Sequence, residues 1–131
     1  MPEEDPGSSQ EIPKPREGLL HLVDATLYSL AGFRPLMQET AARHELIGGA
    51  IGALLLAFGG ATVGQWLLYG ILFAILLAVE ALNTAIEVLT NQISPQWSDA
   101  ARDAKDLGSL ACFLLIVANC AYVGVVFFQL I

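Results

Sequence analysis

A long uncharged stretch constrains this chain more than any other feature of the sequence. Residues 46–79 are 34 consecutive positions without a single Asp, Glu, Lys or Arg. One helix needs only about 20 apolar residues to cross a bilayer, so this stretch is long enough for two crossings. Because the whole chain is 55% hydrophobic and only 15% charged, we interpret it as an integral membrane protein.

A glycine-rich segment, residues 59–64, marks the point at which the stretch folds back. We therefore predict two membrane spans, at about residues 46–61 and 65–89. A further 25 uncharged residues at positions 107–131 predict a third span.

The region before the first span divides into two parts by composition. Residues 1–16 hold four prolines and several carboxylates but almost nothing that could be buried, which predicts a disordered acidic tail. Residues 17–44 alternate leucines with charged side chains at helical spacing, which predicts an amphipathic helix at the membrane surface. Gly32 and Pro35 predict a break in this helix, since proline disturbs a helix interior. A helix pair packed on a soluble domain is the alternative.

The distribution of basic residues predicts the orientation of the spans. Basic side chains occur before the first span and between the second and third, whereas the glycine-rich turn has none. The positive-inside rule therefore places the N-terminus in the cytoplasm. We expect an all-α, multi-pass membrane protein, with one surface helix and three transmembrane helices in a single domain over residues 17–131.

Composition and cysteine placement exclude other classes of protein. A formal net charge of −7 without a lysine and arginine cluster excludes a nucleic-acid-binding protein. Cys112 and Cys120 both lie in the third uncharged stretch. We predict that they are small buried packing residues, not a disulfide or a metal site.

Glu80 is the most unusual residue of the second predicted span. An ionisable side chain at mid-membrane costs about 2.5–3.5 kcal/mol, so its presence there indicates a function. On an α-helix, four further polar residues lie within about 60° of the Glu80 direction, namely Asn83, Thr84, Glu87 and Asn91. Glu80 and Glu87 are about 10.5 Å apart along the helix axis and can therefore take different roles.

Two more polar clusters lie at the same predicted membrane face. Residues 94–106 form a predicted loop or short surface helix that contains Arg102, Asp103, Lys105 and Asp106, and the residues before the first span include Glu39, Arg43 and Glu45. Carboxylates suit Mg²⁺, and a nearby lysine can neutralise phosphate charge. The residues alone predict a phosphate-handling site at the membrane surface. A small proton-coupled transporter that titrates Glu80 is the alternative from another class.

Two segments of the chain closely resemble a known family. Residues 80–87, Glu-Ala-Leu-Asn-Thr-Ala-Ile-Glu, and residues 104–109, Ala-Lys-Asp-Leu-Gly-Ser, are similar in order and spacing to the small prokaryotic diacylglycerol kinases, which include undecaprenol kinases. The similarity covers roughly residues 20–131. It implies an inner-membrane homotrimer whose active sites are shared between subunits.

The resemblance also implies a reaction and a set of site residues. Family members use ATP and Mg²⁺ to phosphorylate a lipid hydroxyl, which converts diacylglycerol to phosphatidic acid. By position, Glu80 resembles the catalytic base and Asn83 its orienting neighbour. The other matches are the metal ligands Glu39 and Glu87, the nucleotide contacts Tyr28, Lys105 and Asp106, and the lipid contacts Arg34, Ser109 and Glu80 itself.

Three positions depart from the pattern that is common in the family. His21 stands where Gram-negative relatives often have arginine, Asn91 where aspartate is common, and Ser98 where histidine is frequent. The pair Gly108 and Ser109 favours diacylglycerol as the lipid, with undecaprenol as the alternative.

Overall fold

The computed structural model describes residues 18–96 and 98–130, and within them every regular element is an α-helix. Four helices follow one another, α1 (Leu19–Gln38), α2 (Thr40–Phe58), α3 (Val63–Ile93) and α4 (Asp99–Phe127). The helices α2, α3 and α4 are each long and apolar enough to cross a membrane. The predicted all-α membrane fold is confirmed. The predicted acidic tail over residues 1–16 lies outside the described residues.

The predicted break at Gly32 and Pro35 is wrong, because α1 continues through both residues to Gln38. Proline has no backbone N–H, so Pro35 leaves one helical hydrogen bond unformed. The helix nevertheless continues for one more turn. The chain leaves the helical conformation at Glu39, whose φ of −73° and ψ of 133° are extended.

The chain divides into two compact units, Met1–Ala31 and Gly32–Ile131, and all three membrane helices belong to the second unit.

All three membrane helices begin before the residue that the hydropathy pattern predicts, and two of them begin at least six residues before it. The first span is expected from residue 46, but α2 starts at Thr40. The third span is expected from residue 107, whereas α4 starts at Asp99. Most of residues 94–106, predicted as a loop or short surface helix, therefore belong to α4. Ser98 explains the second difference, because its hydroxyl accepts a hydrogen bond from the Ala101 amide at 3.2 Å and caps the helix. The charged residues of this segment therefore form the first turns of a membrane helix.

The turn between α2 and α3 forms where the glycines predict it. Gly60 takes a left-handed conformation with a φ of +69°, and the Ala61 amide donates to the Leu56 carbonyl at 3.0 Å. These features end α2 in a Schellman motif. Thr62 and Gln65 then start α3 with a reciprocal capping box. Backbone polar groups are thus paired within the turn.

Each membrane helix buries one stripe of side chains against the other two. The buried stripes are Ala42, Glu45, Gly52 and Leu56 on α2, Tyr69, Leu76, Glu80 and Thr84 on α3, and Cys112, Asn119, Val123 and Val126 on α4. Asn119 forms a hydrogen bond between helices, since its amide donates to the Leu72 carbonyl at 3.4 Å. Large hydrophobic side chains cover the outward faces, as expected for helices surrounded by acyl chains.

The turn geometry predicts the effect of a single methyl group. We expect Gly60→Ala to lower the free energy of unfolding by about 1–2 kcal/mol, because an L-residue is strained in the left-handed conformation. Unfolding of the detergent-solubilised protein, followed by circular dichroism during titration with a denaturing detergent, measures this difference.

Gly64→Ala is the matched control. A Cβ at Gly64 would meet no atom within 4 Å, and this residue lies in the first turn of α3 with no positive φ. We expect its stability to equal or exceed that of the unmodified chain, because alanine favours helix. Equal losses in the two variants would contradict the proposed strain at Gly60.

Candidate active site

Glu80 lies at the point where the three membrane helices meet. Only 3% of this residue is exposed. Glu45 reaches it from α2 and Cys112 from α4, and the ligand atoms of the three side chains all lie within 4.8 Å of one another. The carboxylate that the sequence singles out is therefore buried at the helix junction and does not point outward into lipid.

Asn83 lies one turn beyond Glu80 and packs against α4. A Cβ built at Gly108 would overlap the Asn83 amide oxygen, so only glycine leaves room for that side chain at this spacing. Small residues at helix contacts allow close approach of two backbones within a membrane. The glycine of the Lys-Asp-Leu-Gly-Ser segment therefore leaves room for Asn83 beside α4.

The polar stripe of α3 changes in burial along its length. Glu80 and Thr84 are buried, Asn83 is half-buried, and Glu87 and Asn91 are exposed. Two carboxylates on one helix consequently lie in different surroundings. The buried one is screened from water, and the exposed one is accessible to a charged ligand.

Lys105 connects the exposed end of this stripe to α4. Its ammonium donates a hydrogen bond to the Asn91 amide oxygen at 2.7 Å and lies 3.9 Å from a Glu87 carboxylate oxygen. Asn91 departs from the aspartate that is common in the family, yet it still provides an acceptor for the lysine. An exposed ion pair contributes about 1 kcal/mol at most, so Lys105 can exchange Glu87 for a phosphate at little cost.

The other predicted site residues take no part in these contacts. Glu39 is the residue between α1 and α2, where it is half-buried. Its side chain forms no hydrogen bond or ion pair with any residue that the structure describes, and the same holds for Arg34, Asp106 and Ser109, which are exposed. Tyr28 lies on α1 in the first unit and is 72% exposed.

Two residues of the junction were not assigned a role from the sequence. Glu45 resembles a solvated charge at the end of a span, but it is only 9% exposed. Its spacing from Ala42 and Gly52 on the buried stripe of α2 is the signal that could have identified it.

The prediction that both cysteines are buried is correct for Cys112 and wrong for Cys120, which is exposed.

An apolar cavity of about 830 Å³ opens between α2, α3 and α4 next to the junction. Glu45 and His44 contribute polar groups to its lining, while Leu55, Phe73 and Phe127 contribute apolar ones. A cavity of this size and character can accept an apolar ligand with a polar group at one end.

The model of the prokaryotic diacylglycerol kinase family matches residues 27–128, a range that contains every predicted site residue. The chain is 46% identical over 109 residues to the diacylglycerol kinase of a Sinorhizobium species, covering 83% of this chain and 80% of the relative. It is 34% identical over 113 residues to the diacylglycerol kinase of Haemophilus influenzae, covering 85% and 96%. Together with the buried glutamate and the three membrane helices, these similarities show that the chain belongs to the prokaryotic diacylglycerol kinase family.

Proposed function

We propose that this protein is an ATP- and Mg²⁺-dependent lipid kinase that converts diacylglycerol to phosphatidic acid, with Glu80 as the general base. One observation carries the proposal: a carboxylate that is 3% exposed lies where three membrane helices meet, and its helix also bears an exposed carboxylate. The names of the similar proteins support the same substrate. The family match favours a kinase over the proton-coupled transporter.

The reaction needs a proton acceptor at the boundary between lipid and water. Glu80 accepts the proton of the lipid hydroxyl while that oxygen forms a bond to the γ-phosphorus of ATP. The bond between this phosphorus and the bridging oxygen of ADP breaks, and ADP leaves. Asn83, held by its contact with Gly108, orients the hydroxyl.

The exposed end of the α3 stripe suits the nucleotide. Lys105 is a compact cation that binds phosphate oxygens, and its weak pairing with Glu87 leaves it available. Tyr28 and Asp106 complete the proposed nucleotide contacts. Glu87 and Glu39 would hold Mg²⁺, since their carboxylates provide the oxygen donors that this ion prefers. When bound, the ion supplies neutralising charge to the phosphates.

The cavity beside Glu45 supports a lipid as the acceptor. Its lining is mostly apolar, and its volume of about 830 Å³ can take part of an acyl chain while the polar head lies near Glu45, whose carboxylate is within 4.8 Å of that of Glu80. Arg34 and Ser109 are the proposed contacts to the lipid head. Diacylglycerol and undecaprenol both combine a free hydroxyl with a long apolar body, so the choice between them is a matter for direct assay.

We also propose a homotrimer in the inner membrane, with the N-terminus and the nucleotide in the cytoplasm. The numerous outward hydrophobic side chains can contact either acyl chains or other subunits. Sedimentation of the detergent-solubilised protein tests the assembly, and a monomer would contradict it.

Substrate choice is tested by giving the enzyme each lipid separately. We expect the detergent-solubilised protein to transfer label from γ-labelled ATP to diacylglycerol faster than to undecaprenol, because the site is proposed to fit the glycerol head. Thin-layer separation of the lipid products measures both rates. A faster reaction with undecaprenol would reassign the substrate, and label in neither lipid would overturn the kinase proposal.

The role of the buried carboxylate is tested by Glu80→Gln. We expect turnover to fall by about 10²- to 10⁴-fold, since the amide keeps the shape of the side chain but cannot accept the proton. The rate of lipid phosphorylation at saturating ATP is the measurement. Asp103→Asn is the control, because Asp103 is exposed and pairs only with Arg102 in the described structure. Near-normal turnover of Glu80→Gln would remove this residue from the base role.

The metal role is tested by Glu87→Gln, which removes one proposed oxygen ligand. We expect the Mg²⁺ concentration for half-maximal activity to rise by at least about 10-fold, because lost ligand contacts weaken metal affinity at least this much. Titration of Mg²⁺ at fixed ATP gives this value. Asp99→Asn, an equal change of charge at an exposed position on α4, should leave it unchanged. An unaltered Mg²⁺ dependence in Glu87→Gln would contradict the assignment.

A further inference from the structure

The helix junction contains a cluster of three side chains, and two of them, Glu45 and Cys112, have no role in the proposed kinase mechanism. Glu45, Glu80 and Cys112 are 9%, 3% and 6% exposed, and they come from three different helices. No two of their ligand atoms lie farther apart than 4.8 Å. The proposed base is thus accompanied by a second carboxylate and by a thiol.

The second carboxylate lacks a partner within the described structure. One oxygen of Glu45 is buried and has no hydrogen-bond partner among the residues described. A buried polar atom without a partner is costly, and a second negative charge beside Glu80 adds repulsion. A cation among these three side chains would remove both penalties.

The donor set determines which cation fits. Thiolate is a soft ligand that selects Zn²⁺, whereas Mg²⁺ requires oxygen donors. Tetrahedral Zn²⁺, with bonds of about 2.1 Å to oxygen and about 2.3 Å to sulfur, separates its ligand atoms by about 3.5 Å. The ligand atoms of the three side chains lie up to 4.8 Å apart. To bind Zn²⁺ they therefore need to move closer together by about 1 Å at most. Water can occupy the fourth position.

We propose that Glu45, Glu80 and Cys112 form a Zn²⁺ site that inhibits the enzyme. On binding, the Cys112 thiol releases its proton to solvent and its sulfur forms a bond to the metal. Inhibition rests on the proposed function, because Zn²⁺ would hold the Glu80 carboxylate and prevent it from accepting the hydroxyl proton. The site is separate from Glu39 and Glu87, the proposed Mg²⁺ ligands.

Metal binding is tested without any assay of activity. Cadmium chloride, added to the detergent-solubilised full chain, should produce the ultraviolet charge-transfer band of a cadmium thiolate, and zinc chloride should displace it. Cys112→Ser should lose the band and weaken Zn²⁺ binding by at least about 10-fold. Serine is similar in size to cysteine and keeps a hydroxyl that can hydrogen-bond to Glu80. If Cys112 only supported the structure, Cys112→Ser would therefore leave Zn²⁺ binding unchanged.

Cys120→Ser is the matched control, because Cys120 is an exposed cysteine on the same helix and outside the cluster. We expect this variant to keep the cadmium band and the Zn²⁺ affinity. Loss of the band in Cys120→Ser, or its survival in Cys112→Ser, would overturn the site.

The inhibitory role is measured as the ratio of lipid-kinase rates with and without Zn²⁺ at saturating Mg²⁺. We expect strong inhibition of the unmodified enzyme and of Cys120→Ser, and at least about 10-fold weaker sensitivity of Cys112→Ser. Equal sensitivity of all three would place Zn²⁺ elsewhere and contradict the proposal. A chain that binds cadmium through Cys112 but phosphorylates no lipid would instead refute the proposed function and leave the metal site standing.

Discussion

The cost of keeping the Glu80 carboxylate away from water governs how the three membrane helices are arranged. Lipid offers this group no hydrogen-bond donor, so the protein must surround it. Each of α2, α3 and α4 contributes one side chain to the junction, and Gly52 and Gly108 let the helices approach closely. The same packing that hides the charge also brings Asn83 and Lys105 onto neighbouring turns of α3 and α4.

The polar residues of α3 change from buried to exposed along the helix, and the two substrates of a lipid kinase differ in the same way, since one is apolar and the other is charged. Glu80 is buried beside Glu45 and Cys112, at the proposed position of the lipid hydroxyl. Glu87 and Asn91 lie about two and three turns farther along, are exposed, and face Lys105. In the proposed mechanism, one helix therefore presents a proton acceptor to the lipid and charged groups to the nucleotide.

Absence of charge predicted the helical spans and their fold-back, because a chain in hydrocarbon must close its backbone hydrogen bonds locally. Helix ends were less predictable: Thr40 and Asp99 begin helices inside segments that hydropathy assigns to the surface. Spacing on α3 likewise identified the polar stripe from Glu80 to Asn91. Contacts between helices were harder to predict: the spacing of Glu45 from Ala42 and Gly52 was the one signal of its burial, and the approach of Cys112 to Glu80 did not follow from the sequence.

The turn between α2 and α3 has a consequence for how the protein enters its membrane. Gly59, Gly60 and Ala61 donate their amides to carbonyls of α2, and Thr62 and Gln65 satisfy each other at the start of α3. No charged side chain lies in this connection. In the proposed orientation this turn crosses the membrane, and little unpaired polarity then has to pass through the hydrocarbon, so the two helices can insert together as one hairpin.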